Sequence, residues 1–494
     1  QVLLPGPIPL GYHQLHVECK GKAADSLLIS TPLRAYTPLH KTWGVFVPLY
    51  ALHSEQSWGA GDFGDLDRLT DWTSQLGGRV VATLPLLAAF LDEPFDPSPY
   101  APVSRLMWNE LYVDVAQVPE LADCQEAQAL LTSTPLRRTI RLLRAVPFVD
   151  YRRQMALKRQ VLEALARHFF RTPSARAASF ERFRISHPSV EDYAGFRAAG
   201  ERWGAHWRDW PQPLCNGVLS DQDVDTRVKD YHLYAQWIAH EQIERLAQKA
   251  RAQGPGLYLD LPLGVHPDGY DVWRERAVFV HGASSGAPPD VVFTKGQDWG
   301  FPPLHPQANR QNGYRYVIAY VRHHLQHAGL LRIDHVMGLH RLFCIPHGSE
   351  ASQGVYLRYP AEELYAIVCL ESQRHRAAIV GENLGTVPSA VNKMMQSRNI
   401  QAMHVLQYEL PATLNQPLAT VPDNAVASVN THDFFPFHAF WQGAELEERL
   451  ALGLLDQTSL KHEEHNLRRI KRALVALLRD TGWLNGSRPN TQTV

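Results

Sequence analysis

The sequence predicts an α/β protein built on a (β/α)8-type TIM barrel, with a helical subdomain inserted between two of its strands. Three observations carry that prediction. Short β-rich runs alternate with helical patterns along most of the 494 residues, which implies parallel strands joined by crossover helices. Those runs end in polar or small residues, the pattern of strands that present chemistry at the C-terminal rim of a barrel. One long stretch, about 119–255, is rich in Arg and Ala and helical in period, without a convincing strand.

The elements follow in order. Residues 1–35 contain HQLHVEC and SLLIST, two or three strands, too few to bury a core alone. WGVFVPLY (43–50) and VVATLPLL (80–87) read as the first barrel strands, with the helical GDLDRLTDWTSQLG (64–77) between them. After the insert come GLYLDLPLG (256–264), LLRIDHV (330–336), AAIVGENLG (377–385), AMHVLQYE (402–409) and AVASVNTHD (425–433). YPAEELYAIVCLESQRHR (359–376) is a crossover helix. Past residue 433, AELEERLALGLLD and LRRIKRALVALLRDTG are helical, and NGSRPNTQTV is a polar tail. No eighth strand is found there. Either an earlier strand is uncounted, or the chain stops before its barrel closes. The partition expected is a barrel over 36–118 and 256–445, an insert over 119–255, and C-terminal helices and tail over 446–494.

Composition excludes several classes. A net charge of −1 gives no footprint for nucleic acid or an anionic membrane surface. No apolar run approaches the roughly 20 residues of a membrane span. Cys19, Cys124, Cys215, Cys344 and Cys369 are scattered without a CxxC, which argues against a disulfide framework or zinc site and fits a cytoplasmic setting. The opening QVLLPGPIPLGYHQL has no basic n-region and no initiator Met, so it reads as no signal peptide and as an incomplete N-terminus. Among 24 His, His323 and His327 lie four apart on a predicted helix, but no HExxH accompanies them. They read as surface histidines, and no metal or other cofactor is expected.

The chemistry concentrates in three carboxylates. Asp334, Glu382 and Asp433 each stand at or just past the end of a predicted strand, and barrel strand ends converge on one mouth. Arg332 is two residues before Asp334 on the same strand and so shares its face. Retaining glycoside chemistry needs two carboxyl groups about 5–5.5 Å apart, as nucleophile and acid/base. A third can hold ring hydroxyls. For any one of them alone, a cap or structural ion pair is the better explanation, and only the three together shift the balance toward catalysis.

As a set these segments carry a family resemblance. LLRIDHVMGLHRLF (330–343) resembles the nucleophile strand of the amylomaltases, the 4-α-glucanotransferases of glycoside hydrolase family 77. GENLGTVP resembles their acid/base motif and SVNTHD their third-carboxylate motif. The likeness extends over WGVFVPLYALHSEQSWGAGDFGDL, FDPSPYAPVSRLMWNELYVDV, LYLDLPLGVHPDGYDVW and GAPPDVVFTKGQDWGFPP, from about residue 40 to 445. It implies Asp334 as nucleophile, Glu382 as acid/base and Asp433 as transition-state stabiliser. It further implies substrate-binding roles for Arg332, His335, His432, Asp271, Trp273, Gln297, Trp299 and Tyr100, with Asp260 as a structural partner of Arg332. Arg332 is expected to keep Asp334 ionised by lowering its pKa. Maltooligosaccharides or other α-1,4-glucans are the implied substrates, with no cofactor, no nucleic acid and no membrane; oligomeric state is not legible. Residues 1–35 resemble the end of the β-sandwich that precedes the barrel in longer members.

Two departures stand out. FFPFHAFWQG follows Asp433 where the family has small residues and Pro-Thr, and nothing after residue 445 matches the family's closing strand. The chain therefore reads as truncated at both ends. An α-glucan hydrolase on the same scaffold, or a catalytically silent glucan-binding fragment, are the alternatives.

Overall fold

All seven of the runs read as barrel strands form parallel strands. The computed structural model describes residues 6–38, 41–290, 293, 295–410 and 418–484; the polar tail at 485–494 and part of the 286–303 segment lie outside them. The chain divides into two compact units, Gln1–Pro289 with Lys295–Ile379, and Asp290–Thr294 with Val380–Val494.

In chain order the strands of the first unit are β1 (Gly11–Cys19), β2 (Lys22–Ser30), β3 (Gly44–Phe46), β4 (Val80–Ala82), β5 (Gly256–Leu261), β6 (Ala283–Ala287), β7 (Gln297–Asp298), β8 (Ala328–Ile333), β9 (Arg341–Pro346) and β10 (Val355–Arg358). β1 and β2 make an antiparallel hairpin. β3, β4, β5 and β8 run parallel in that order. β5 and β8 are buried at nearly every position. That is why they read as continuous apolar runs and not as alternating ones. Asp260 and Arg332 are the charged exceptions.

The register between β5 and β8 decides how those two meet. Leu257 pairs with Ala328, but Tyr258 pairs with Leu330, so Gly329 is skipped in an irregularity. A Cβ on Gly329 would lie 1.7 Å from the Pro255 carbonyl oxygen, so only glycine fits this approach. Beyond the irregularity Asp260 pairs with Arg332. Side chains alternate with period two, so a slip of one residue would turn Arg332 to the other face.

Helix Phe63–Gln75 starts where Asp62 accepts from the Gly64 and Asp65 amides while Asp65 accepts from the Asp62 amide, a reciprocal cap. Between Gln125 and Gln253 the elements are helical, ending in the 28-residue helix Thr226–Gln253. Helix Arg315–His327 leads straight into β8. Here the reading of His323 and His327 as surface residues is corrected. Both are buried, with ring centroids 4.4 and 5.1 Å from that of Trp108. Their i, i+4 spacing put them on one helix face, and that face turns inward.

A second sheet was not foreseen. β6, β7, β9 and β10 pair antiparallel in the order β10-β9-β6-β7. ASSGA has no β-branched or aromatic residue to signal a strand. RLFCIP directly follows the polar break after β8, which hid it.

In the second unit, β11 (Ala378–Gly381) contributes Val380 and Gly381 to parallel pairing with β12 (Gln401–Val405), which pairs parallel with β13 (Ala425–Ser428). Helices Ala444–Ala451 and Gln457–Asp480 follow, and no further strand occurs among the described residues. Trp441, Ile470, Leu474 and Val475 form this unit's apolar cluster, with Phe437 packed against it. Part of the unexpected aromatic run is therefore core.

Candidate active site

Asp334 follows the last residue of β8 and is held by backbone on one side, its N–H donating to the Leu261 carbonyl at 3.1 Å. Its carboxylate takes Arg332 Nη1 at 2.9 Å on Oδ1, and the Leu263 N–H lies 3.5 Å from Oδ2. The side chain is 23% exposed, so an approach remains open. Arg332 Nη1 also reaches both oxygens of buried Asp260, at 2.8 and 2.9 Å. Tyr100 completes the cluster: its hydroxyl donates to Asp260 at 2.6 Å and accepts from Arg332 at 3.4 Å. Desolvation raises the Asp334 pKa above its ordinary value, Asp260 adds to the rise, and Arg332 and His335 oppose it. The expectation that Arg332 favours the ionised form has the right sign for that contact. Burial outweighs it. An apolar cavity of about 70 Å³, lined in part by Leu261, Phe279, Phe301, Ile333 and Leu364, abuts Asp334 and His335.

His335 adopts a left-handed backbone, φ 46° and ψ 64°. Such a conformation in a non-glycine residue costs about 1–3 kcal/mol and gathers at functional sites. Here it ends β8 and turns the chain away immediately after Asp334. Burial lowers the His335 pKa, with Asp334 opposing. The Trp299 ring meets the imidazole edge-on at 5.2 Å, and Trp299 stacks with Phe301 at 6.0 Å. Gln297 sits in β7 opposite Ala287, two residues before Trp299.

Asp271 and Trp273 are placed differently from the substrate contacts expected of them. They are 1% and 0% exposed. Asp271 accepts from Ser104 Oγ at 2.6 Å, the Arg105 N–H at 2.8 Å and Tyr316 Oη at 2.5 Å. Trp273 donates to the Leu214 carbonyl at 2.9 Å. A helix begins at Tyr270 and carries both residues inward.

In the second unit, Glu382 lies just past β11, and its Oε1 accepts from the Leu384 N–H at 2.7 Å, within the GENLG turn. Asn383 braces that turn, donating to Asn392 Oδ1 at 3.0 Å and accepting from the Met403 N–H at 3.0 Å. Asp433 lies in a turn after β13, 3.2 Å from His432 Nε2, with its N–H on Thr431 Oγ1 at 3.3 Å. It caps no helix, since the next one starts at Phe437. Tyr408 is a residue the sequence reading passed over. Burial raises its phenol pKa, and the charges of Glu382, Asp433, Asp290 and Glu445 raise it further. Phe434 meets its ring edge-on at 4.5 Å. The available signal was an aromatic at the C-terminal end of AMHVLQYE. Among the described residues, no three His, Cys, Asp or Glu side chains group as metal ligands.

Parallel strands with carboxylates at their C-terminal ends are the arrangement of an α/β barrel enzyme. The family model described as 4-alpha-glucanotransferase matches residues 47–482. A 4-alpha-glucanotransferase of Mycobacterium tuberculosis is 33% identical over 99% of this chain and 70% of its own length. One from Haemophilus influenzae is 32% identical over 98% of this chain and 72% of its length. The amylomaltase of Corynebacterium glutamicum superposes with a TM-score of 0.81 at 29% identity, over 97% of this chain and 68% of that one. The chain belongs to glycoside hydrolase family 77, the 4-alpha-glucanotransferases, and its fold is of the TIM-barrel type. The match continues to residue 482, past the stretch from about residue 40 to 445 over which the resemblance was read. No helix among the described residues is long and apolar enough to cross a membrane.

Proposed function

We propose that this chain moves α-1,4-glucan segments between maltooligosaccharides by a retaining double displacement, in the cytoplasm. The observation that carries the reading is Asp334. It is a part-exposed carboxylate at a parallel strand's end, fixed by Arg332 at 2.9 Å and backed by the Leu263 amide. An Asp334 oxygen attacks the anomeric carbon while the glycosidic bond breaks, and Glu382 gives its proton to the departing sugar oxygen. The acceptor's 4-hydroxyl then attacks the glycosyl ester, losing its proton to Glu382 and freeing Asp334. Asp433 takes hydrogen bonds from ring hydroxyls as positive charge develops. Arg332, His335, His432, Gln297, Trp299 and Tyr100 bind and orient the sugars around the broken bond. Asp271 and Trp273, enclosed as they are, support that wall from behind.

Incubation with maltotriose tests the reading. Glucose with a ladder of longer maltooligosaccharides is the expected product set, whereas glucose and maltose alone would mean that water takes the intermediate. Glu382→Gln should lower the rate by about 10²–10⁴-fold, the contribution of a general acid. A variant as fast as wild type would remove Glu382 from the scheme.

A further inference from the structure

The nucleophile's surroundings include one buried cation that the chemistry above leaves unused. Arg105, in the segment between β4 and β5, is 3% exposed. Its Nη1 donates to the Leu263 carbonyl at 2.9 Å and lies 3.5 Å from that of Pro262. Its Nε donates to Tyr316 Oη at 3.1 Å, and its guanidinium lies 3.9 Å from the ring centre of Tyr320 and 5.0 Å from that of Tyr316. Its own N–H is taken by Asp271, which also holds Ser104 and Tyr316. Arg105 is thus fixed from its backbone, its Nε and its flat face.

The group it holds in turn is the bend directly after β5. The Pro262 carbonyl and the Leu263 N–H belong to one peptide, and in a trans peptide they point in opposite directions. Drawing that oxygen toward Arg105 aims the N–H the other way, at Asp334 Oδ2. The second bond, on the Leu263 carbonyl, fixes the following peptide as well. Asp334 then has one oxygen on Arg332 and the other on a backbone amide whose direction is set by Arg105.

We infer that Arg105 is a positioning residue for the reaction: it orients the Leu263 amide so that the Asp334 carboxylate is held at one rotation for attack. The inference rests on Asp334 being the nucleophile. It gives Asp271, Ser104 and Tyr316 a role as well, since they hold Arg105 in place. Among the described residues of the first unit, the charged or titratable groups that act on Asp334 include Arg332, His335, Asp260 and Tyr100.

The test compares Arg105→Met, Arg105→Lys and Tyr316→Phe in the full chain, with kcat, KM and the pH profile of kcat/KM on maltotriose. Arg105→Met should lose about tenfold or more, the scale of a hydrogen bond to a charged group. The loss should fall in kcat with KM nearly kept. The acid limb should move to higher pH, because an amide that favours the carboxylate is no longer aimed at it. Arg105→Lys, still a donor but without the fork, should fall between. Tyr316→Phe keeps Arg105 and removes one of its anchors, so its limb should move the same way by less. If Arg105→Met does not accumulate as folded protein, Tyr316→Phe decides. A limb and kcat unchanged from wild type in the deciding variant would overturn the inference. Asp334→Asn, run alongside, separates the two claims: activity in that variant would remove the nucleophile assignment, whatever Arg105 does.

Discussion

Replacing Asp260 with Asn removes one of the two carboxylates that share the Arg332 guanidinium. Asp260 accepts Nη1 at 2.8 and 2.9 Å and the Tyr100 hydroxyl at 2.6 Å, and both Asp260 and Arg332 are buried. Breaking one side of a buried pair costs about 3–5 kcal/mol. Asn keeps the shape and an oxygen for Tyr100, and Asp334 still faces the guanidinium. The loss should therefore sit near the lower end, about 3 kcal/mol. The same substitution acts on the nucleophile in the other direction. Asp260 is one of the groups that raise the Asp334 pKa. Without it, Arg332 serves Asp334 alone, and the pKa falls. Asp260→Asn should thus be less stable in urea yet show the acid limb of kcat/KM for maltotriose at lower pH than wild type. The two readouts moving in these senses together is the signature. An acid limb that stays or rises would refute the reasoning, because it would mean that the Asp260 charge does not reach the nucleophile.

Asp334→Asn should abolish transfer without lowering stability at neutral pH. The folded pKa of Asp334 is raised, so the native state binds more protons than the unfolded chain in the window above the ordinary carboxylate value, and stability falls as pH rises through it. Urea midpoints should show the variant level with or above wild type at neutral pH, the difference closing in acid. His324 and His327 are pushed down to about 4 by burial, from 6.5. Unfolding lets them take protons, so stability should be lost as pH falls from about 6.5 toward about 4, and a His324→Gln, His327→Gln double variant should flatten that decline. Burial opposes the ionised form of Glu371, yet bonds from His375 and Arg322 outweigh it and hold its pKa at about 2, below 4.5. Its contribution is present above pH 4.5 and lost toward pH 2, so Glu371→Gln should lower the urea midpoint at neutral pH and match wild type near pH 2.

Strands and site separated differently in what the residues disclosed. Runs such as LYLDL and AAIVG were legible because strands buried on both faces must be apolar throughout, and the helices between them carry a different period. Arg332 beside Asp334 was legible from the two-residue repeat alone. The antiparallel sheet of β6, β7, β9 and β10 was not, since its strands are short, its partners distant, and ASSGA has no strand-forming side chain. Asp271 beside Trp273 in YDVW resembled a substrate-contacting pair. Only packing shows that both side chains turn inward. Arg105 gave no signal for a related reason. The groups its Nη1 holds are main-chain carbonyls some 157 and 158 residues away, and backbone acceptors leave no mark in a sequence.

The irregularity at Gly329 stores information in missing atoms. What it stores is a phase, the offset at which one strand is read against its neighbour. Asp260 and Arg332 are three residues further along, where that offset brings them opposite each other. A change at Gly329 is therefore a framing error and not a lost contact: every residue from Leu330 onward keeps its identity and loses its address. A survey of the site that mutated only charged residues would register their contacts and miss the glycine that decides which of them meet.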